Sequence, residues 1–239
     1  MTKKYLFFLF FFLLIFVSEE VCSQRFQGAI AAGINLSQVD GDEVYGFKKV
    51  GFNGGPSIIF PFGKNKNWSV TMEILFSMNG AYQKGDPAIP DTLPPDTTVP
   101  LSYNGYKLNL NYVQIPLMVH FTDKKIIAGG VGFAYNQLVS VKEWEDGFRQ
   151  DSTTLRGPYT LADFQVLADV RLRLWRNLWG NIRYSYSILP IRTRRFTNIT
   201  ETKVWTRKQY NNVITLRLIW IFNDPYVKNR EGRTRKNSN

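Results

Sequence analysis

Cysteine and histidine each occur only once in this chain of 239 residues. A chain with one thiol, Cys22, cannot form an internal disulfide. One histidine, His120, leaves no pair of imidazoles for a zinc site, and Cys22 lies in a segment that we expect to be removed. The sequence therefore predicts no metal site, no cofactor and no thiol chemistry.

Long apolar runs are also missing, apart from residues 5–17 near the N-terminus. Lys3 and Lys4 precede this run, and Val21-Cys22-Ser23 follows it, which is typical of a secretory signal peptide over residues 1–23. The run is too short to cross a bilayer core of about 30 Å as a helix. Glu19-Glu20-Val21 is a poor lipobox, so we expect cleavage before Gln24 and no lipid on Cys22.

Acidic residues are scarce, since 19 Asp and Glu face 30 Lys and Arg, a net charge of +11. An exported chain does not meet nucleic acid where it works. The excess charge therefore predicts attraction to anionic lipid headgroups and no nucleic-acid partner.

Alternation of apolar and polar side chains fills most of residues 24–222, in eight segments. In residues 68–79, for example, Trp68 and Met72 share one face and Glu73 shares the other, with only Leu75 out of place. A period of two over twelve residues predicts a long β-strand.

One segment changes phase. Its apolar residues lie at even positions through Leu110 and Tyr112, and at odd positions from Val113 and Ile115 onward. One extra residue reverses the facing of every residue after it, so we predict a β-bulge near Tyr112–Gln114.

The connections between the eight segments alternate in length. Tight turns are predicted near Phe62–Lys66, Thr122–Lys124 and Arg176–Leu178, and long polar loops, including residues 83–102, join the other segments. An outer-membrane barrel has this asymmetry, with short turns in the periplasm and long loops outside. We predict an all-β fold, an eight-stranded antiparallel up-and-down transmembrane β-barrel over residues 24–223, in the cell outer membrane, with a basic periplasmic tail over residues 224–239.

The direction of the apolar face separates this fold from a soluble periplasmic ligand-binding barrel, whose apolar face points inward. Eight strands leave an interior barely wide enough for side chains, so the many large aromatic residues fit outside, toward lipid. The polar face is small or charged. Because an unpaired buried charge is costly, we expect its charges to form one network. The predicted interior charge network is Glu73, Asp169, Arg171, Arg173, Arg183 and Arg217.

The last long loop is basic, with Glu201 as its one acidic residue. A solvated charge run is one interpretation. The other is contact with lipopolysaccharide phosphates, which suit the forked donors of Arg. The candidate contact residues are Arg192, Arg194, Arg195, Lys203, Arg207 and Lys208.

Several motifs resemble the PorT-like outer-membrane β-barrel family of Bacteroidetes. They are residues 32–42 (AGINLSQVDGD), 46–52 (GFKKVGF), 112–117 (YVQIPL) and 128–132 (AGGVG). The resemblance implies an eight-stranded outer-membrane barrel. The founding member of that family is needed for type IX secretion. The basic tail beyond Phe222 departs from barrels that end on a closing aromatic residue.

The sequence favours a non-enzymatic barrel, a structural or interaction component of the envelope, with an accessory role in a larger outer-membrane or secretion complex as one form of it. Its expected partners are outer-membrane lipid, lipopolysaccharide and other envelope proteins. The alternative is a lipid-modifying or proteolytic barrel enzyme. We place His120 at the periplasmic rim in a structural role, because a catalytic base needs a nucleophile within reach.

Overall fold

The computed structural model describes residues 26–42, 44, 46–85, 105–145, 148–150, 154–155, 157–197 and 204–224. These residues form eleven β-strands in one sheet. The strands are β1 (Gln27–Asp40), β2 (Lys49–Phe62), β3 (Trp68–Glu73), β4 (Leu75–Gln83), β5 (Tyr106–Asp123), β6 (Ile127–Glu145), β7 (Phe148–Arg149), β8 (Ala162–Trp175), β9 (Leu178–Ser187), β10 (Arg192–Thr197) and β11 (Val204–Ile221). Within the described ranges, no helix is long and apolar enough to cross a membrane.

Every strand pairing in the sheet is antiparallel. β1 pairs with β2, β2 with β3 and β4, and both of these with β5. β5 then pairs with β6, β6 with β7 and β8, and β8 with β9. Both β9 and β10 pair with β11, which pairs with β1, so the series of pairings returns to its start. The prediction of an all-β antiparallel fold is confirmed, with eleven strands where the sequence predicts eight.

The two ends of the sheet differ as the loop lengths predict. At one end, here called the tight-turn end, residues 63–67, 124–126 and 176–177 join neighbouring strands. The chain also enters β1 and leaves β11 at this end, where Asn223 accepts from Gly28 N at 3.0 Å and donates to Phe26 O at 2.6 Å. At the opposite end, the loop end, lie the long connections from β1 to β2, from β4 to β5 and from β6 to β8.

Most large apolar side chains of the strands point away from the interior. Ile34, Phe52 and Leu117 are exposed, whereas Asn35 and Asn53, which neighbour two of them in sequence, are buried. The outward facing of the apolar side chains is confirmed. The exception within residues 68–79, Leu75, is buried, because it continues the inward face of Glu73 across the break at Ile74.

A β-bulge lies beside Tyr112, as the sequence predicts, but it does not reverse the facing of β5. Burial alternates without interruption along β5, so Leu108, Leu110 and Tyr112 point inward, whereas Ile115, Leu117 and Val119 point outward. The register does shift beside Tyr112, but the extra residue is Val139 of the partner strand β6. The change of phase therefore marks a level at which the interior becomes apolar.

The predicted signal peptide, most of the loop over residues 83–102, Lys203 and the tail beyond Asp224 lie outside the described residues.

Candidate functional site

The interior near the tight-turn end contains a cluster of ionisable side chains, here called the charged layer. Glu73, the last residue of β3, is only 1% exposed. It accepts hydrogen bonds from Arg183 Nη1 at 2.8 Å and from Arg217 Nη1 and Nη2, both at 3.0 Å. Arg183 lies in β9 and Arg217 in β11, which are 110 and 144 residues after Glu73 in the sequence. The carboxylate therefore connects distant parts of the chain. The charged layer consists of Glu73, His120, Asp169, Arg171, Arg183 and Arg217.

Asp169 is the second acid of the charged layer. Its Oδ2 accepts from Arg183 Nη2 at 3.0 Å, and its Oδ1 lies 2.9 Å from His120 Nε2. Arg171 is held less closely, with Nη2 3.5 Å from Glu73 Oε1 and 3.7 Å from Asp169 Oδ2. Three arginines thus share two carboxylates, and the layer has one excess positive charge when His120 is neutral.

Two expectations about this layer need correction. Arg173 does not reach Glu73 or Asp169; it lies nearer the tight-turn end of β8 and pairs with Asp224 at 2.8 Å. His120 does not lie at an exposed rim. It points inward from β5 and is 1% exposed, with Nδ1 3.2 Å from Thr71 Oγ1. Because inward residues recur every second position, His120 falls on the same face as Met118 and Gln114.

Polar side chains, most of them uncharged, fill the middle of the interior, here called the polar layer. Asn35 donates to Ser77 Oγ at 2.9 Å and to Asn79 Oδ1 at 2.8 Å, and it accepts from Thr215 Oγ1 at 2.8 Å. These bonds connect β1 with β4 and β11. The other members of the layer are Asn53, Asp163, Gln165 and Asn211.

Apolar side chains fill the interior near the loop end, here called the apolar layer. Along β5 the order from the tight-turn end is His120, Gln114 and then Leu110, so charged, polar and apolar levels follow one another. The bulge at Val139 turns Val141 inward beside them. The apolar layer consists of Val39, Val44, Ala81, Leu108, Leu110, Tyr112, Leu138, Val141, Tyr159 and Ile191.

Ion pairs cover the apolar layer at the loop end. Glu143 of β6, which is 2% exposed, accepts from Arg192 at 3.0 Å and from the Tyr106 hydroxyl at 2.8 Å. Arg192 also donates to the Tyr159 hydroxyl at 2.8 Å, and burial together with Glu143 raises the pKa of Tyr159 to about 12. Arg194 pairs with Glu145.

The basic residues proposed for lipopolysaccharide contact therefore divide into two sets. Arg192 and Arg194 are paired with Glu143 and Glu145 of β6, which lie outside the basic loop. Arg195, Arg207 and Lys208 are exposed on the hairpin of β10 and β11. Pairing across the sheet, which the loop sequence does not reveal, separates the two sets.

Catalytic and metal chemistry find little support in this geometry. Thr71, His120 and Asp169 form a hydroxyl–imidazole–carboxylate series, but the Thr71 side chain is fully buried and has no access for a substrate. Among the described residues, no group of three His, Cys, Asp or Glu side chains is arranged to hold a metal ion.

Comparison with known protein families gives one match. Residues 19–192 match the family described as "Outer membrane protein beta-barrel domain". The chain belongs to this family. It is therefore a β-barrel protein of the outer membrane, and the apolar outer face of the sheet meets lipid. No curated protein matches the sequence.

Solved outer-membrane proteins resemble this barrel at low identity. The attachment invasion locus protein Ail of Yersinia pestis is 13% identical, over 82% of this chain and 98% of that one, with a TM-score of 0.44. Neisserial surface protein A is 12% identical, over 82% and 96%, with a TM-score of 0.44. A major outer membrane protein of Thermus thermophilus is 14% identical, over 82% and 98%, with a TM-score of 0.44. These similarities are too distant to assign a function to the barrel.

Sequence patterns alone missed much of the polar layer. Asp163 lies one inward position beyond Gln165 on β8, so counting in steps of two toward the loop end would have found it. Glu143 had no such signal, because the bulge at Val139 reverses the facing of β6 before this residue.

Proposed function

We propose that the chain is a closed, non-enzymatic, eight-stranded outer-membrane barrel that serves as a structural or interaction component of the envelope. Three of the eleven strands do not count as separate strands of the barrel. β3 and β4 continue one another across Ile74, whose N donates to Pro56 O at 3.0 Å. β9 and β10 pair with successive parts of β11, and β7 is a two-residue strand paired with β6.

The charged layer carries the proposal that the barrel is closed. The guanidinium groups of Arg183 and Arg217 and the carboxylate of Glu73 meet across the interior, and each residue is at most 4% exposed. An eight-stranded barrel has an interior that side chains can fill. The polar and apolar layers add two further levels of packing between this cluster and the loop end.

The remaining finer assignments follow from the closed barrel. The tight-turn end faces the periplasm and the loop end faces outward, as in other outer-membrane barrels. The exposed basic residues Arg195, Arg207 and Lys208 then lie on the side where lipopolysaccharide phosphates are found, with Lys203 as a further candidate contact. The resemblance to PorT-like barrels favours an accessory role in a secretion complex, with other envelope proteins as partners.

Conductance measurements test whether the barrel is closed. Purified full-length protein in planar bilayers should give no steady current of porin size. The matched variant replaces Arg183 and Arg217 by Ser, which shortens two side chains that cross the interior, and it should conduct more than wild type. Porin-sized ohmic channels from wild-type protein would refute the proposal.

A pull-down addresses the interaction role. The full-length protein, extracted from outer membranes in a mild detergent, should retain bound envelope proteins. An Arg195→Gln/Arg207→Gln/Lys208→Gln variant should retain them less well if these residues bind the partner or its lipopolysaccharide.

The enzyme alternative has a separate test. His120→Phe would abolish a His-dependent lipase or protease activity, whereas a scaffold would keep its complex.

A further inference from the structure

A cavity of about 220 Å³ lies at the tight-turn end, between the charged layer and the turns. Its walls combine apolar and cationic side chains. Ile59, Ile219, Ile221 and the ring of Trp179 supply apolar surface. Lys66, Lys125, Arg171 and Arg173 supply positive charge, and Asp224 is the one carboxylate among the described residues that line it.

Two side chains that line this cavity, Arg171 and Trp179, hold buried donor atoms that have no acceptor in the described part of the chain. Arg171 is 6% exposed, and its Nε and Nη2 donate to no described group of the protein at hydrogen-bond geometry. Trp179 is also 6% exposed, and its Nε1 likewise has no acceptor in the described part of the chain. A buried donor without an acceptor costs free energy, so an acceptor that reached these groups would be bound favourably.

The charges around the cavity specify the kind of acceptor. The charged layer behind it has one excess positive charge, and Arg171 is the arginine of that layer held least closely by the two carboxylates. Arg173 is partly neutralised by Asp224 and stacks on Trp179, with Cζ 4.5 Å from the ring centroid. Lys66 and Lys125 reach the cavity from two different turns. An anion is therefore favoured over a neutral or cationic ligand.

From this geometry we propose that the tight-turn mouth is a binding site for a small organic oxyanion, a carboxylate or a phosphate ester on a short apolar body. The oxyanion accepts from Arg171 and Trp179 and is attracted by Lys66 and Lys125. The apolar body packs against Ile59 and Ile219. The site is formed mainly by residues of the turns and strand ends, so it does not depend on whether the barrel conducts.

The backbone at the turns offers a way to separate binding from stability. Lys66 and Lys125 have φ angles of 52° and 59°, in the left-handed region that side chains other than Gly and Asn seldom adopt. Asn tolerates this conformation better than Lys. Replacing Lys66 by Asn should therefore keep or raise the stability of the fold while it removes a positive charge from the cavity.

Thermal unfolding of the full-length protein in an uncharged detergent tests the site, because a ligand of the folded state raises the unfolding temperature with its concentration. The probes are benzoate, phenyl phosphate, inorganic phosphate and benzyl alcohol. The first two should raise the unfolding temperature at millimolar concentration, inorganic phosphate should raise it less, and benzyl alcohol should have no effect. An equal effect of inorganic phosphate would overturn the organic part of the proposal, and an equal effect of benzyl alcohol would overturn the anionic part.

Variants locate the effect. Lys66→Asn and Trp179→Phe should each weaken the binding of phenyl phosphate by about fivefold, the effect of one lost hydrogen bond or charge contact. Lys64→Asn, in the same turn but outside the cavity, is the matched control and should bind as wild type does. Equal binding by wild type, Lys66→Asn and Trp179→Phe would place the anion elsewhere and refute the site, and so would the absence of any shift with phenyl phosphate.

Discussion

Replacing Glu73 by Gln isolates the contribution of the charged layer to stability. Glu73 accepts three hydrogen bonds at 2.8 to 3.0 Å from two arginines, and Arg171 lies 3.5 Å away. Gln has the same shape but no charge, so three buried arginines would keep Asp169 as their only acid within the charged layer. Breaking a buried ion pair by removing one partner costs about 3–5 kcal/mol, and we expect a loss of about 4 kcal/mol here.

The assay is the temperature at which the compact, heat-modifiable band on gels is lost. Asp123→Asn makes the same change of carboxylate to amide at an exposed turn and should leave this temperature unchanged. A second substitution provides a sharper check. Glu73→Gln/Arg217→Gln removes one charge of each sign, so the double variant should be more stable than Glu73→Gln alone. If the double variant is as unstable as the two single losses added together, the charges do not act as a network and the reasoning fails.

Two further predictions concern the loop end. Burial raises the pKa of Asp42 from its ordinary value of 3.8 to about 7, so the folded state holds a proton that the unfolded chain releases, and stability should fall as the pH rises from about 4 to about 7. Unfolding temperatures at pH 5 and pH 8 measure this, and Asp42→Asn should reduce the difference; an unchanged difference would contradict the assignment. Glu143→Gln should cost about 3 kcal/mol, because Glu143 is a buried partner of Arg192 and of the Tyr106 hydroxyl. Glu145→Gln, at a more exposed ion pair, should cost less when the same unfolding temperature is compared.

The alternation of side chains predicted most of the strands and the facing of the sheet, because lipid outside and a narrow interior impose a strict period of two. It predicted that five of the six residues of the charged layer point inward, all except His120, but not which of them meet. Arg171 and Arg173 occupy successive positions on the same face of β8, so the alternation does not distinguish them. Arg173 has a different partner because Asp224, just after β11, lies beside it.

His120 shows a second limit of the sequence. Its closeness to a turn suggested an exposed rim. Its side chain instead points from β5 into the interior and lies beside Asp169. Glu143 shows a third, since one extra residue in β6 decides its facing and the sequence of β6 gives no sign of it. In both cases, the depth and facing of a side chain depend on how its strand pairs with the adjacent strands.

The change of phase in β5 leads to a last prediction, about where the lipid ends. Outward residues of β5 are apolar from Phe121 up to Val113 and polar at Asn111 and Asn109, while the inward residues Tyr112, Leu110 and Leu108 belong to the apolar layer. A membrane strand needs about 9–11 residues, so β5, with 18, extends beyond the bilayer. Above the lipid the outer face meets water, and an apolar interior then stabilises the sheet as it does in a soluble protein.

Arginine substitutions along the outward face of β5 test this boundary. An Arg facing lipid near the middle of the membrane costs about 2–4 kcal/mol, whereas an Arg near or above the interface costs about 0–1 kcal/mol. Leu117→Arg should therefore strongly destabilise the barrel in lipid vesicles, and Asn109→Arg should leave its stability almost unchanged. Val113→Arg, at the predicted edge, should fall between them. Equal losses at positions 117 and 109 would mean that the lipid covers the whole strand, and the apolar layer would then need an explanation other than the end of the membrane.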